Sequence, residues 1–167
     1  MRTIKGGKSA LVVIGGGLAI AVIDALNAMA FWAIRADVPP QVILQSIAAG
    51  LLGPASLSGG ATTAWLGAGL HLFMAICMAG VYCLAARRWP LMLERPAAFG
   101  LLYGVLTWLV MNYVVVPLSL AHAPPFQAAW FLDGLLVHLL VVGLGLAFLT
   151  RWAAGMLGDS IRSTPGA

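Results

Sequence analysis

The chain has 167 residues, 62% of them hydrophobic and 8% charged, with a mean hydropathy of +0.99. A soluble domain carries about 25% charged residues, so the composition excludes an ordinary water-soluble domain and indicates one transmembrane domain over residues 1–167. The formal charge is +4 and the isoelectric point near 9.6, but the basic residues are dispersed through short loops, which excludes a nucleic-acid-binding stripe and reads as topology information.

The first apolar segment covers about 11–34, long enough for the roughly 20 residues that a spanning helix needs. The opening "MRTIKGGK" followed by "LVVIGGGLAIAV" also has the shape of a signal peptide, with Ala28-Met29-Ala30 in the place of a cleavage site. The apolar run continues through Phe31 and Trp32, and Asp24 interrupts it, so a retained span is expected. The loop that follows, "RADVPPQVILQSIAAGLLGPASLSGG", contains a helical signal over about 40–52: Pro40 suits the first turn and Gly53-Pro54 the end. Val42, Ile43, Ile47, Leu51 and Leu52 alternate there with Gln41, Gln45 and Ser46. At about 12 residues it is too short to span, and is expected to lie flat on the outer surface or to re-enter as a lid.

Three more spans follow, at about 61–86, 97–120 and 128–150. Each is too long for a strand and lacks alternation of period two, and backbone groups in hydrocarbon must be satisfied within the segment, so all four are helices. Cys77 and Cys83 lie in one span at a spacing that fits neither a metal site nor a redox pair, and read as packed thiols. Pro124-Pro125 stiffens the last outer loop, where His122 is expected to be solvated, and the tail 151–167 is expected to fray at its end. Arg2, Lys5 and Lys8 precede the first span, Arg87, Arg88 and Arg95 separate the second from the third, and Arg151 and Arg162 follow the fourth. Only Arg35 lies in an opposite loop, which places both termini in the cytoplasm. Trp32, Trp65 and Trp130 then fall at outer ends, Trp89 and Trp152 at inner ends, and Trp108 deep.

The polar residues inside the spans carry the functional question. At about 1.5 Å per residue, Asp24, His71 and His138 each lie roughly 15 Å below the outer end of their helix, near the midplane. Asn27 and Asn112 are expected nearer the outside, and Asp133 at an outer vestibule. Steps of three and four residues join Asp24 to Gly17, Ala21 and Ala28, His71 to Gly67, Ala64 and Ala75, and His138 to Gly134 and Gly145. Gly100 and Gly104 form a GxxxG pair on the row that leads through Trp108 to Asn112. Small residues mark the faces where membrane helices approach closely, so the expectation is an antiparallel four-helix bundle with Asp24, His71, His138 and Asn112 turned inward.

Four uses fit such a cluster. An Asp beside a His shares a proton and supports a proton or small-solute pathway. Asp24, His71 and His138 match the donor types of a divalent-metal site, and two histidines on different helices match axial ligands of haem. The plainest use is interhelical packing, at about 0.6 kcal/mol per hydrogen bond, in a structural or accessory subunit. Catalysis has little support, since no GxSxG surrounds Ser56, Ser58 or Ser119, and HExxH, P-loop and dinucleotide motifs are absent. No cofactor is therefore expected outside the haem and metal alternatives. The expected surroundings are lipid, with a homo-oligomer or a partner membrane protein compatible with so narrow a bundle.

The run "GLHLFMAICMAGVY", Pro90, "GLLYGVLTWLVMNYVVVPLS", Pro124-Pro125 and "VHLLVVGLGLAFLTRW" resembles the YagU-like bacterial inner-membrane proteins over about residues 71–152. The resemblance implies a bacterial inner-membrane location, a link to acid tolerance and matching positions at His71, Pro117, Leu118 and His138. It implies no reaction, and does not extend to Asp24.

Overall fold

The computed structural model describes residues 6–121 and 126–162, with side chains described over 9–121 and 126–155. Arg2, Lys5, His122 and Pro124-Pro125 lie outside the described residues, as do the side chains of Lys8 and Arg162. Every regular element among the described residues is helical. Helix α1 covers 6–36, α2 is Pro40–Leu52, α3 is Gly60–Arg88, α4 is Pro96–Leu118 and α5 covers 128–162. Three of the spans thus extend a few residues past the expected limits, most of all α5, which continues as helix into the tail, whereas α4 ends at Leu118, short of the expected 120.

Local chemistry sets the breaks. α1 stops where Asp37 takes a left-handed conformation (φ 51°), a state that Asp tolerates better than most residues. Pro39 is extended and Pro40 opens α2 in the first-turn position where its missing N–H costs nothing. A 3₁₀ turn, Gly53–Ser58, then leads into α3, and the two reversals of direction use glycine at positive φ, Gly53 at 65° and Gly60 at 61°.

Five segments are long and apolar enough to cross a membrane: Ser9–Ala36, Pro40–Ser58, Gly60–Arg88, Pro96–Leu118 and Ala128–Gly155. That is one more than the sequence-based expectation of four. The addition arises because the 3₁₀ turn lengthens the apolar stretch of α2 to 19 residues. The α-helical part alone has 13 residues, about 20 Å of helix, and ends at the Gly53 reversal.

Three helices contain π-helical stretches: Val12–Gly16 in α1, Met111–Val115 in α4 and His138–Gly145 in α5. A π-turn takes an extra residue, so α-helical spacing does not carry through it. The packing glycines show the consequence. Gly100 and Gly104 of α4 face α5, as the GxxxG spacing implies, and a Cβ on Gly104 would stand 2.8 Å from Leu139 Cα. Their counterpart on α5 is Gly143, where a Cβ would run into the Gly100 carbonyl, not the expected Gly145, which is exposed. Gly17 packs on α3, its Cβ position 2.9 Å from Ile76 Cα. Gly67 packs against the Leu44 carbonyl of α2, not against another long helix.

α1 lies against α3 and α5, α4 against α5, and α2 across the first turns of α3. The half of the molecule that ends in Arg87, Arg88, Arg95 and Arg151 is closely filled, around Ala79, Tyr82, Cys83, Val142, Leu146 and Ala147. The half that carries α2 is hollow. The outside is apolar, with Leu18, Leu26, Phe73, Leu84, Leu102 and Leu140 all exposed. Cys77 shares that exposed surface, so of the two cysteines only Cys83 is a packed thiol.

Candidate functional site

The hollow half holds two adjoining cavities. The larger, about 270 Å³, opens towards the α2 end and is bordered by Ile43, Ser46 and Ile47 of α2. The smaller, about 100 Å³, lies towards the arginine end and is lined by Met74, Met78 and Val142. Asp24, His71, Met111 and His138 line both. These four residues from four helices therefore form the waist between the chambers.

α1 brings Asp24 to the waist on the row of Gly17 and Ala21, whose lack of bulk lets α1 approach α3 closely. His71 stands opposite on α3, with Nε2 3.4 Å from Asp24 Oδ2 and 3.1 Å from the Ala21 carbonyl oxygen. Both side chains are mostly buried, at 28% and 20% exposure for Asp24 and His71. His138 opens the π-stretch of α5. Its Nδ1 is 2.8 Å from the Gly134 carbonyl oxygen, which fixes Nδ1–H as donor and leaves Nε2 as the acceptor nitrogen of a neutral ring.

A second polar pair stands nearer the α2 end. Asn27 Nδ2 donates to Asp133 Oδ2 at 2.7 Å, tying α1 to α5. Asp133 thus shares the large cavity with Asn27, although its spacing from His138 turns it to another side of a regular helix. Asn112 also lines this cavity, but its Nδ2 donates back to the Trp108 carbonyl at 2.9 Å rather than to Asp24 or to either histidine. The structure thus brings together Asp24 with His71 and Asn27 with Asp133, while His138 and Asn112 share the cavity without bonding to either pair.

Aromatic rings build much of the remaining wall. Trp32 and Trp130 stand 5.5 Å apart, and Trp108 meets Phe131 edge to face at 4.4 Å. Below the small chamber, Tyr103 Oη donates to the Met78 carbonyl at 2.7 Å, and Tyr82 packs edge-on against Tyr103 at 5.1 Å. Tyr82 is fully buried, and its hydroxyl has no hydrogen-bond partner among the described residues. Tyr82 belongs to the filled core and Tyr103 packs against it, and the Tyr103 bond ties that core to Met78, which lines the small chamber.

α2 is locked in place by buried polar groups. Gln45 is 3% exposed, and its Nε2 donates to the Gly60 carbonyl at 3.0 Å and to Thr63 Oγ1 at 3.3 Å. Ser56 Oγ donates to the Gln45 carbonyl at 2.9 Å, and Thr63 Oγ1 to the Ser56 carbonyl at 2.6 Å. Leu51, Leu52 and Leu57 are exposed instead. The apparent polar face of the 40–52 helix is therefore partly its buried side, because Gln45 has partners within the fold that a solvent-facing Gln would not need.

Several site residues were not evident in the sequence: Met74, Met78 and Met111, the Tyr82–Tyr103 pair and Gln45. Tyr103 follows Gly100 and Tyr82 follows Ala79 by three residues, so helical steps from the small-residue faces reach both. Among the described residues, no three His, Cys, Asp and Glu side chains gather into a metal-holding group. No family model, curated protein or solved structure matches this chain.

Proposed function

We propose that this chain is a bacterial inner-membrane protein in which α1, α3, α4 and α5 cross the bilayer, α2 re-enters from the outer face, and the enclosed cavities form a proton-linked pathway for a small solute. The observation that carries the reading is the waist, where Asp24, His71 and His138 separate two chambers at one level. An ionisable group inside a membrane domain is costly and marks a pathway when it faces a cavity. Asp24 and His71 face each other at 3.4 Å, a pair through which a proton can pass, and His138 lines the same two chambers.

The apolar exterior supports immersion in lipid. Arginines at the filled end support a cytoplasmic position for that end and for both termini. For α2, exposed leucines beside a buried Gln45 favour hydrocarbon over water as the surroundings. In this arrangement the large chamber faces outward under α2, and the Tyr82–Tyr103 pair lies towards the cytoplasm. The resemblance to the YagU-like proteins agrees with a role in acid tolerance.

The test is proton and solute flux through purified protein in vesicles, together with acid survival of cells. His71→Leu and His138→Leu are expected to reduce both at least tenfold while helical content is kept. Unchanged flux and survival would sink the pathway. The Asn27–Asp133 bond, which joins two helices, favours a second reading as a structural subunit. A constant co-purifying partner, with harmless substitutions throughout the cluster, would establish that reading instead.

A further inference from the structure

We propose that the solute of the large chamber is a small organic cation, an ammonium group with short alkyl substituents. The inference rests on the pathway reading for transport but has its own basis for binding. Two carboxylates, Asp24 and Asp133, line the chamber, and no Lys or Arg does. That is notable in a chain of net charge +4. Arg35, which follows Trp32 by three residues on α1, stacks on Phe31 at 5.4 Å and does not line the chamber.

Charge alone would accept any cation, and the walls narrow the choice. Three of the six tryptophans of the chain, Trp32, Trp108 and Trp130, border this chamber with Phe131. An aromatic face attracts an ammonium group within about 6 Å of its centroid, most strongly when water is excluded. A hydrated metal ion gains less from such a wall, and among the described residues it finds no set of three His, Cys, Asp and Glu ligands. An anion meets two carboxylates and no Lys or Arg. The size fits as well: about 270 Å³ lies just below the roughly 300–1,000 Å³ of sites for drug-sized ligands.

The two acids have different tasks. Asp24 already has a partner in His71, whose Nε2 lies 3.4 Å from its Oδ2. Asp133 is held by the neutral amide of Asn27, which fixes the carboxylate in the wall without neutralising it. Asp133 therefore supplies the net negative charge that an ammonium group answers, and the Trp32–Trp130 pair stands at the same end of the chamber.

The experiment is a tryptophan-fluorescence titration of the full chain in lipid nanodiscs with choline and with its uncharged isostere 3,3-dimethyl-1-butanol. Saturable quenching by choline, at least tenfold weaker with the isostere, is the expected result. Asp133→Asn keeps the shape and the Asn27 contact, and is expected to weaken choline at least tenfold. Trp130→Leu should weaken it similarly and Trp130→Phe much less, with circular dichroism confirming that each variant folds. Equal response to the two isosteres overturns the proposal. So does the absence of saturable quenching by choline, tetramethylammonium and ethylammonium alike. Vesicle flux separates this outcome from the pathway: His71-dependent proton flux without ammonium binding removes the cation alone, and ammonium binding without any flux removes the pathway alone.

Discussion

His71 Nε2 lies 3.1 Å from the Ala21 carbonyl oxygen and 3.4 Å from Asp24 Oδ2, so one ring nitrogen faces two acceptors, one of them the carboxylate, on the same helix. Nε2–H is therefore the donor in a neutral ring, and a protonated ring adds a charge that only Asp24 can balance at that contact. Asp24→Leu takes from the His71 ring one of its two acceptors, and His71→Leu leaves the mostly buried Asp24 carboxyl without that partner. Each is expected to cost about 1–3 kcal/mol, and the double variant less than the sum of the two. Thermal unfolding in one detergent supplies the cycle, and strict additivity would show that the contact carries no coupling.

The packing of α4 on α5 gives a second expectation. A Cβ on Gly143 meets the Gly100 backbone, whereas one on Gly145 comes no closer than 4.0 Å to the Leu140 carbonyl. Gly143→Ala is expected to destabilise by about 1–3 kcal/mol through overpacking, and Gly145→Ala to stay within about 0.5 kcal/mol. Melting temperatures of the two variants check this. The reverse order would mean that α5 keeps regular α-helical spacing through His138–Gly145.

The same stretch explains which parts of the molecule were legible in the sequence. Helical class, segment positions and the common level of Asp24, His71 and His138 follow from hydropathy and the fixed rise per residue, which depend on composition and length alone. Facing is more fragile. It was readable for Gly17, Ala21 and Asp24, which lie in regular α-helix, and it failed for Gly145, which ends the π-helical stretch that begins at His138. Asp133 and Gln45 depended on partners distant in the chain, Asn27 and Thr63, that spacing within one helix does not reveal.

Gln45 carries a third expectation, since it ties α2 to the start of α3. Gln45→Leu removes the bonds to Gly60 and Thr63 and leaves the Thr63 hydroxyl with fewer partners. A loss of about 1–3 kcal/mol follows from leaving buried polar groups short of partners. The loss should be local, loosening α2 and opening the large chamber while α1, α3, α4 and α5 stay assembled. Hydrogen exchange would register it as faster exchange confined to residues 40–60. Uniformly faster exchange would show that α2 is integral to the whole bundle.

The two tyrosines packed beside Met78 and the filled core should respond in opposite directions. Tyr103 Oη donates to the Met78 carbonyl, whereas the buried Tyr82 hydroxyl has no partner among the described residues. Removing a satisfied hydroxyl forfeits a hydrogen bond, while removing an unsatisfied one relieves a desolvation cost. Tyr103→Phe is therefore expected to lower the melting temperature, by the equivalent of about 1 kcal/mol. Tyr82→Phe should leave it unchanged or raise it. Both rings keep their edge-to-face contact as phenylalanines, so the difference isolates the hydroxyl groups. If the pair closes the pathway, Tyr103→Phe also frees the ring from its anchor on α3 and raises proton leak in vesicles that lack solute. A Tyr82→Phe variant that loses stability as Tyr103→Phe does would mean that a water bonds the Tyr82 hydroxyl, and would extend the polar path past the closure.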